Sequence, residues 1–312
     1  MTQIITIKTR SGFLETYQTG SGNKLALCLH GFPEHAATWH HQIDMLVNMG
    51  FTVWAPNLRG YGKSMRPTEV SAYQIEHLVA DIEDLLKAWG NQSVTVIGHD
   101  WGALLGWFFL INKPGGIERF IAISSNHPAE MYPMNSVSQF KRAGYLPLVL
   151  IPGIAEWSLT SPERLWSSYY RHLMLATGGA NQERERKIGQ QIGQQTGQRT
   201  GQRTGEKLIS LYESQFQNPL AVKAMANWYR ANADPRWWRK QALRTRIDIP
   251  VLSLLGEDDP FVITDRAKNR LSHVSNHTTR IVKHAGHWPH LDQYQFINRE
   301  IQDWLESDLT SR

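Results

Sequence analysis

Two kinds of apolar stretch alternate along the chain. Leu25 to Leu29 (LALCL), Phe51 to Ala55, Val94 to Ile97 and Phe120 to Ile123 are short runs of buried-strand character. Between them, Ala36 to Met49 and Tyr73 to Trp89 carry apolar residues at helical spacing. In the second, Ile75, Leu78, Val79, Ile82, Leu85 and Leu86 share one face. Residues 3 to 19 alternate weakly and predict two further strands. The pattern resumes at Ile249 with the strand PVLSLL. Another strand starts at Arg280 to Val282, and a last amphipathic helix runs from about Tyr294 to Leu305. Strands alternating with helices predict an α/β fold, with a mostly parallel central sheet flanked by helices.

From His127 to Arg246 the alternation stops. This block is rich in Trp, Tyr, Pro and Arg, and it reads as helical with no obvious strand. Within it, residues 189–205 repeat a tetrapeptide (GQQI, GQQT, GQRT, GQRT). The repeat is polar, spaced by glycine and without a hydrophobic face, so it cannot bury enough surface to fold alone. It reads as a tolerated surface insertion. The chain thus divides into a core, residues 1–126 and 247–312, and an inserted helical lid, residues 127–246.

Composition narrows the class. The 312 residues are 41% hydrophobic, which is globular, and long enough to bury a sizeable core. The formal charge is +5, but Lys and Arg mostly alternate with Asp and Glu. That pattern describes solvated faces and not a nucleic-acid stripe. Cys28 is the only cysteine, which excludes an internal disulfide and suits a reducing compartment. The N-terminus, MTQIITIKTRSGF, lacks the long apolar core of a signal peptide, and no apolar run reaches membrane-spanning length. The expectation is a soluble cytoplasmic protein without a membrane partner. Twelve tryptophans would serve a roomy apolar cavity.

The candidate chemistry centres on Gly98-His99-Asp100-Trp101-Gly102, between a strand and the helix-like run from Ala103. This is a G-x-nucleophile-x-G elbow with Asp where a serine hydrolase carries Ser. Glycines permit a tight turn at which a Cβ would clash. The turn pushes the central side chain above the sheet, near a helix N-terminus that favours negative charge. Asp is also a common helix N-cap, so the pentapeptide alone leaves both roles open. The loop His30 to Glu34 follows another strand, at the edge where open α/β sheets place ligands. In it, Phe32-Pro33 is a candidate cis peptide, although trans is the commoner state of an X-Pro bond. An acid from the loop Gly256 to Pro260, and then His287, follow later strands. The order nucleophile, acid, histidine is that of the α/β-hydrolase triad.

On these residues the chain resembles the α/β-hydrolase superfamily, and within it the soluble epoxide hydrolases. This Asp-nucleophile branch is shared with haloalkane dehalogenases. The motifs are His30-Gly31-Phe32-Pro33-Glu34, Gly98-His99-Asp100-Trp101-Gly102 and Gly286-His287-Trp288. The resemblance implies opening of a small apolar epoxide to a vicinal diol through an alkyl ester on Asp100, with no cofactor. His287, a base close to its natural range, activates the water that attacks the ester carbonyl. The superfamily spacing from Gly256 favours Asp259 over Asp258 as the partner of His287. Backbone N–H groups of Phe32 and Trp101 would form the oxyanion hole. Two lid tyrosines would donate to the epoxide oxygen. One is Tyr229, in Asn227-Trp228-Tyr229-Arg230. The other is Tyr145, seven residues before Pro152-Gly153, although the run from Leu146 to Ile151 departs from the family's more aromatic pattern.

Two other readings stay open. A haloalkane dehalogenase would use the same triad, with the Trp101 indole and a second donor, often Asn, where this chain has Phe32. A hydrolase-like scaffold that only binds a ligand would be expected to carry a broken triad. His284 and His290 flank His287 at three-residue spacing, but a strand end and turn is a poor frame for metal ligands, and no metal is expected. Asn57 stands where relatives often carry Asp, with a structural consequence at most. Trp157, Trp166, Trp237 and Trp238 could line an apolar pocket or only pack. Substrate identity and oligomeric state are not written in these motifs.

Overall fold

The computed structural model describes residues 2–90, 93–112, 115–130, 145–160, 210–243, 245–262, 264 and 273–307. The repeat at 189–205 and Trp166 lie outside the described residues. Eight strands form one sheet: β1 (Gln3–Thr9), β2 (Gly12–Thr19), β3 (Lys24–Leu29), β4 (Phe51–Pro56), β5 (Val94–His99), β6 (Arg119–Ile123), β7 (Ile247–Gly256) and β8 (Val274–Val282). Their spatial order is β1-β2-β4-β3-β5-β6-β7-β8. The β1–β2 and β2–β4 pairs are antiparallel, and every later pair is parallel. The helices are α1 (His40–Asn48), α2 (Ile75–Trp89), α3 (Trp101–Asn112), α4 (Leu146–Leu150), α5 (Ile154–Leu159), α6 (Pro219–Ala231), α7 (Pro235–Ala242), α8 (Pro289–Asp292) and α9 (Tyr294–Ser307).

This is the expected α/β architecture, with two local differences. The first turn of the helix read over Ala36 to Met49 is a 3-10 turn, Ala36–Trp39, capped by the His35 side chain. The last strand runs from Val274 and ends at Val282, where the sequence pattern had it start at Arg280. Its middle, SNHTTR, is polar and only partly buried, because β8 is an edge strand paired to β7 alone. An edge strand needs no continuous apolar run.

The sheet buries both faces, as a parallel sheet must. One face packs Cys28, Val53, Ile97 and Leu254 against Trp39 and Leu46 and against Ile297, Ile301 and Leu305 of α9. The other packs Leu27, Val96 and Phe120 against α2 and α3. Helix α3 is buried from Trp101 to Ile111, which explains its lack of a polar face. Part of its cover comes from α7, where the Trp238 ring meets Phe108 edge-on at 5.6 Å. Among the described residues no helix is long and apolar enough to cross a membrane.

Asn57 has a structural role. Its Oδ1 accepts from Ala36 N–H at 2.9 Å, and its Nδ2 donates to Glu15 Oε2 at 2.7 Å. The residue is fully buried. A carboxylate here would face the Glu15 carboxylate with no proton to give. Asn57→Asp is therefore expected to cost about 1–3 kcal/mol at neutral pH. Two facing carboxylates hold a proton more tightly in the folded state, so the loss should shrink as pH falls toward about 4.5. Urea denaturation at both pH values checks this, and a variant as stable as its parent at neutral pH would contradict it.

Candidate active site

Strand β5 ends at His99 and α3 begins at Trp101, so Asp100 alone makes the connection. Its φ is 50°, the left-handed region that a non-glycine residue seldom adopts. Its N–H donates to Ile123 O at 3.0 Å, and its carbonyl accepts from Leu104 N at 2.9 Å. The backbone is thus that of an N-cap, but the carboxylate is turned elsewhere. Oδ1 accepts from Phe32 N–H at 2.9 Å, and Oδ2 lies 3.5 Å from His287 Nε2. The neighbouring glycines are required by close approach. A Cβ on Gly102 would lie 2.1 Å from Leu29 O, and one on Gly31 would lie 2.6 Å from Asp100 Cβ.

His287 stands between two carboxylates. Its Nδ1 is 2.8 Å from Asp259 Oδ2, and Asp259 is 2% exposed. The other Asp259 oxygen accepts the N–H groups of Phe261 at 2.7 Å and Val262 at 3.0 Å. Asp258 is exposed. The geometry therefore pairs Asp259, and not Asp258, with His287. Burial works against a charge on His287, but Asp259 and Asp100 outweigh it and push its pKa up to about 10. Burial likewise works against the Asp259 charge, yet His287 and the two N–H groups hold that carboxyl below its ordinary range. The expectation of a histidine near its natural range is corrected: with Asp100 unmodified, the imidazole is charged at neutral pH.

Two tyrosines from separate segments meet beside this group. The rings of Tyr145 and Tyr229 are 5.9 Å apart and perpendicular. Tyr229 packs edge-on against Phe32 at 5.2 Å and Trp101 at 5.0 Å. Burial, and then the Asp100 charge, push the Tyr145 hydroxyl above its ordinary range, so its proton stays on at neutral pH. Phe261, which the motifs did not single out, bridges Tyr145 at 5.3 Å and His287 at 4.9 Å. Phe32 and Trp101 therefore both lie beside Asp100, and Trp101 is the first residue of α3. Of the tryptophans singled out for a pocket, Trp238 packs on Trp101 and Trp237 on Phe108, whereas Trp157 is 62% exposed.

A second polar cluster lies behind the first. Glu34 and His290, predicted only as a motif end and a flank, join His99 in the fully buried interior. Glu34 Oε2 is 2.7 Å from His99 Nδ1 and accepts Gly31 N–H at 2.6 Å. Thr38 donates to Glu34 Oε1 at 2.9 Å and meets His290 Nε2 at 2.9 Å. His99 Nε2 lies 2.8 Å from His287 O. Both ring nitrogens of His99 thus face acceptors. Among the described residues, Glu34, His99 and His290 are the group whose ligand atoms could converge on a cation. At 2.7 to 2.9 Å the contacts within this group are at hydrogen-bond distance. His284 is exposed, apart from buried His290, so the two histidines flanking His287 share no site. The cluster ties the loop at Gly31–Phe32 to the backbone that carries His287. Buried Asp292 fastens that backbone from the other side, accepting Gly286 N–H at 3.0 Å. Spacing gave no signal for these contacts. The one hint was a His and a Glu placed where apolar residues would be cheaper.

Known proteins share this arrangement of elements. A model of the alpha/beta hydrolase fold family matches residues 26–294. The chain belongs to that family. It is 30% identical to the AB hydrolase superfamily protein YfhM of Bacillus subtilis (strain 168), covering 91% of this chain and 90% of that one. It is 30% identical to the bifunctional epoxide hydrolase 2 of Sus scrofa, covering 95% of this chain and 53% of the relative, so it spans about half the length of that protein. Among solved structures, an epoxide hydrolase from an endophytic Streptomyces superposes with a TM-score of 0.76 at 24% identity, covering 99% of this chain and 96% of that one.

The raised pKa of His287 sets a sign. Its ion pairing contributes stability in full below the unfolded value of about 6.5 and loses it as pH rises through about 10. Asp259→Asn removes the strongest raising charge. The ring protons of His287, followed by NMR, should then titrate at lower pH than in the parent. An unmoved midpoint would contradict the charge assignment.

Proposed function

We propose that this protein is an epoxide hydrolase that opens an epoxide to a vicinal diol through an alkyl ester on Asp100. The observation that carries the reading is the convergence of Tyr145 and Tyr229 beside an aspartate, not a serine, at the elbow. Epoxide opening releases an alkoxide, which needs a proton, and the two phenol hydroxyls are suited to give it. Halide release needs N–H donors instead, and position 32 presents a phenyl ring packed on Tyr229. The relatives named epoxide hydrolases support the same reading.

The first step is attack of an Asp100 oxygen on an epoxide carbon, with a tyrosine proton passing to the epoxide oxygen as the carbon–oxygen bond breaks. The ester that forms carries no charge. Asp100 then stops holding a proton on His287, and that proton replaces the one the tyrosine gave. His287 becomes a base only after the ester exists. Oriented by Asp259, it takes a proton from water as the water attacks the Asp100 carbonyl carbon. The N–H groups of Phe32 and Trp101 hold the oxyanion; as it collapses, the bond from the carbonyl carbon to the alkyl oxygen breaks, that oxygen takes the proton of the newly added hydroxyl, and the diol leaves. One water is consumed, and Asp100 and His287 return to their charged forms. Helices α4 and α6, which lie between β6 and β7 in the chain, belong to a lid carrying the proton donors, while the core carries the triad.

Two variants test separate steps. His287→Gln should still form the ester but fail to release it, so intact-protein mass spectrometry should show one added epoxide mass that persists. Tyr229→Phe should slow single-turnover ring opening by about 10²–10⁴-fold. No adduct in the first variant would remove Asp100 as nucleophile. An unchanged rate in the second would remove Tyr229 from the mechanism.

A further inference from the structure

Three consecutive residues of α6 reach three different places. Trp228 Nε1 donates to Arg59 O at 3.0 Å, which docks the helix on the core. Tyr229 enters the site. Arg230 crosses to the segment that follows Tyr145. Its Nη1 and Nη2 grip Glu156 in a two-pronged pair, at 2.8 Å to Oε1 and 3.0 Å to Oε2. Nη2 also donates to Ile151 O at 3.2 Å, and Nη1 to Asn227 Oδ1 at 3.3 Å. Glu156 Oε2 in turn accepts Gly153 N–H at 2.9 Å.

These contacts close a ring of structure. Tyr145 is the N-cap of the one-turn helix α4, and Ile151 is its C-cap. From Ile151 O the path crosses to Arg230, steps back one residue to Tyr229, and returns to Tyr145 across the 5.9 Å ring contact. The side chains of Arg230 and Glu156 are only 8% and 18% exposed, so salt and water screen the pair weakly. Arg230 Nε is buried without a partner, a cost of burying the guanidinium. A planar fork on a carboxylate fixes direction as well as distance, which a lysine cannot do.

We propose that Arg230 and Glu156 form a positioning clasp that sets Tyr145 and Tyr229 at a common substrate oxygen; this rests on the reading of both tyrosines as proton donors. Neither clasp residue touches the reacting atoms. Misplacing a reacting group by about 1 Å costs on the order of 10²-fold, so the geometry of two donors on two separate segments is worth fixing.

The test uses the full chain and styrene oxide as the probe. Single-turnover ring opening and ester breakdown are timed for Arg230→Met and Arg230→Lys, each in the parent and in a Tyr145→Phe background. Arg230→Met is expected to slow ring opening roughly 10- to 100-fold in the parent. In the Tyr145→Phe background, where no pair of donors is left to align, its effect should fall to about twofold, and ester breakdown should stay within about twofold throughout. Arg230→Lys should recover part of the loss. A merely structural role would slow both backgrounds equally, and that result overturns the clasp, as does an unchanged rate. If circular dichroism shows Arg230→Met unfolded, Glu156→Gln replaces it: it keeps an acceptor for Gly153 N–H, loses the charge, and carries the same expectation. Tyr145→Phe and Tyr229→Phe alone separate the two failures. If they open the epoxide at the parent rate, the proton-donor reading falls. If they are slow while the clasp variants are not, only the clasp falls.

Discussion

The structure depends on one backbone constraint, the single-residue turn at Asp100. A strand in the middle of the sheet must hand over to a buried helix with no loop between them. The cost is a left-handed residue that is not glycine, on the order of 1–3 kcal/mol. The surroundings leave it no alternative. The Asp100 N–H is taken by β6, its carbonyl by α3, and Leu29 and Gly31 close in on the far side. In exchange the carboxylate stands clear of the sheet, within reach of Phe32 N–H and of His287. Every other group of the site is placed relative to this one oxygen pair.

Electrostatics then decides the order of events. Two carboxylates facing one imidazole keep it charged, and the rings of Tyr145 and Tyr229 stand nearby. In the proposed mechanism this suits base catalysis only because Asp100 is itself one of the two charges: an ester on Asp100 would remove that charge and free His287 to act as a base. The buried Glu34–His99 pair behind the site is fixed to the same two loops, so the Gly31–Phe32 loop and the His287 loop cannot drift apart without breaking hydrogen bonds of 2.6 to 2.8 Å.

What could be read from the sequence follows physical locality. The strand–turn–helix elbow at Asp100 and the alternation of strands and helices are short-range patterns, and they were legible. Asp259 and Asp258 differ by one position in a turn; the family spacing favoured Asp259, and burial adds the physical reason, since Asp259 faces His287 and Asp258 faces water. The polar interior of β8 hid a strand because edge strands tolerate polarity. The Glu34–His99–His290 cluster, the Arg230–Glu156 pair and the place of Phe261 join residues far apart in the chain, and no periodicity announces such contacts. The charge on His287 was misjudged for the same reason, because it depends on two carboxylates brought in by other strands.

The most direct measurement is a single turnover in ¹⁸O-labelled water, with enzyme in excess over epoxide. If water attacks the Asp100 ester carbonyl, the first diol carries the original Asp100 oxygen and no label. The label then appears in the Asp100 carboxylate, where mass spectrometry of the peptide containing residue 100 finds it. Label in the first diol, with none in that peptide, would mean that water attacks the epoxide directly and would contradict the account.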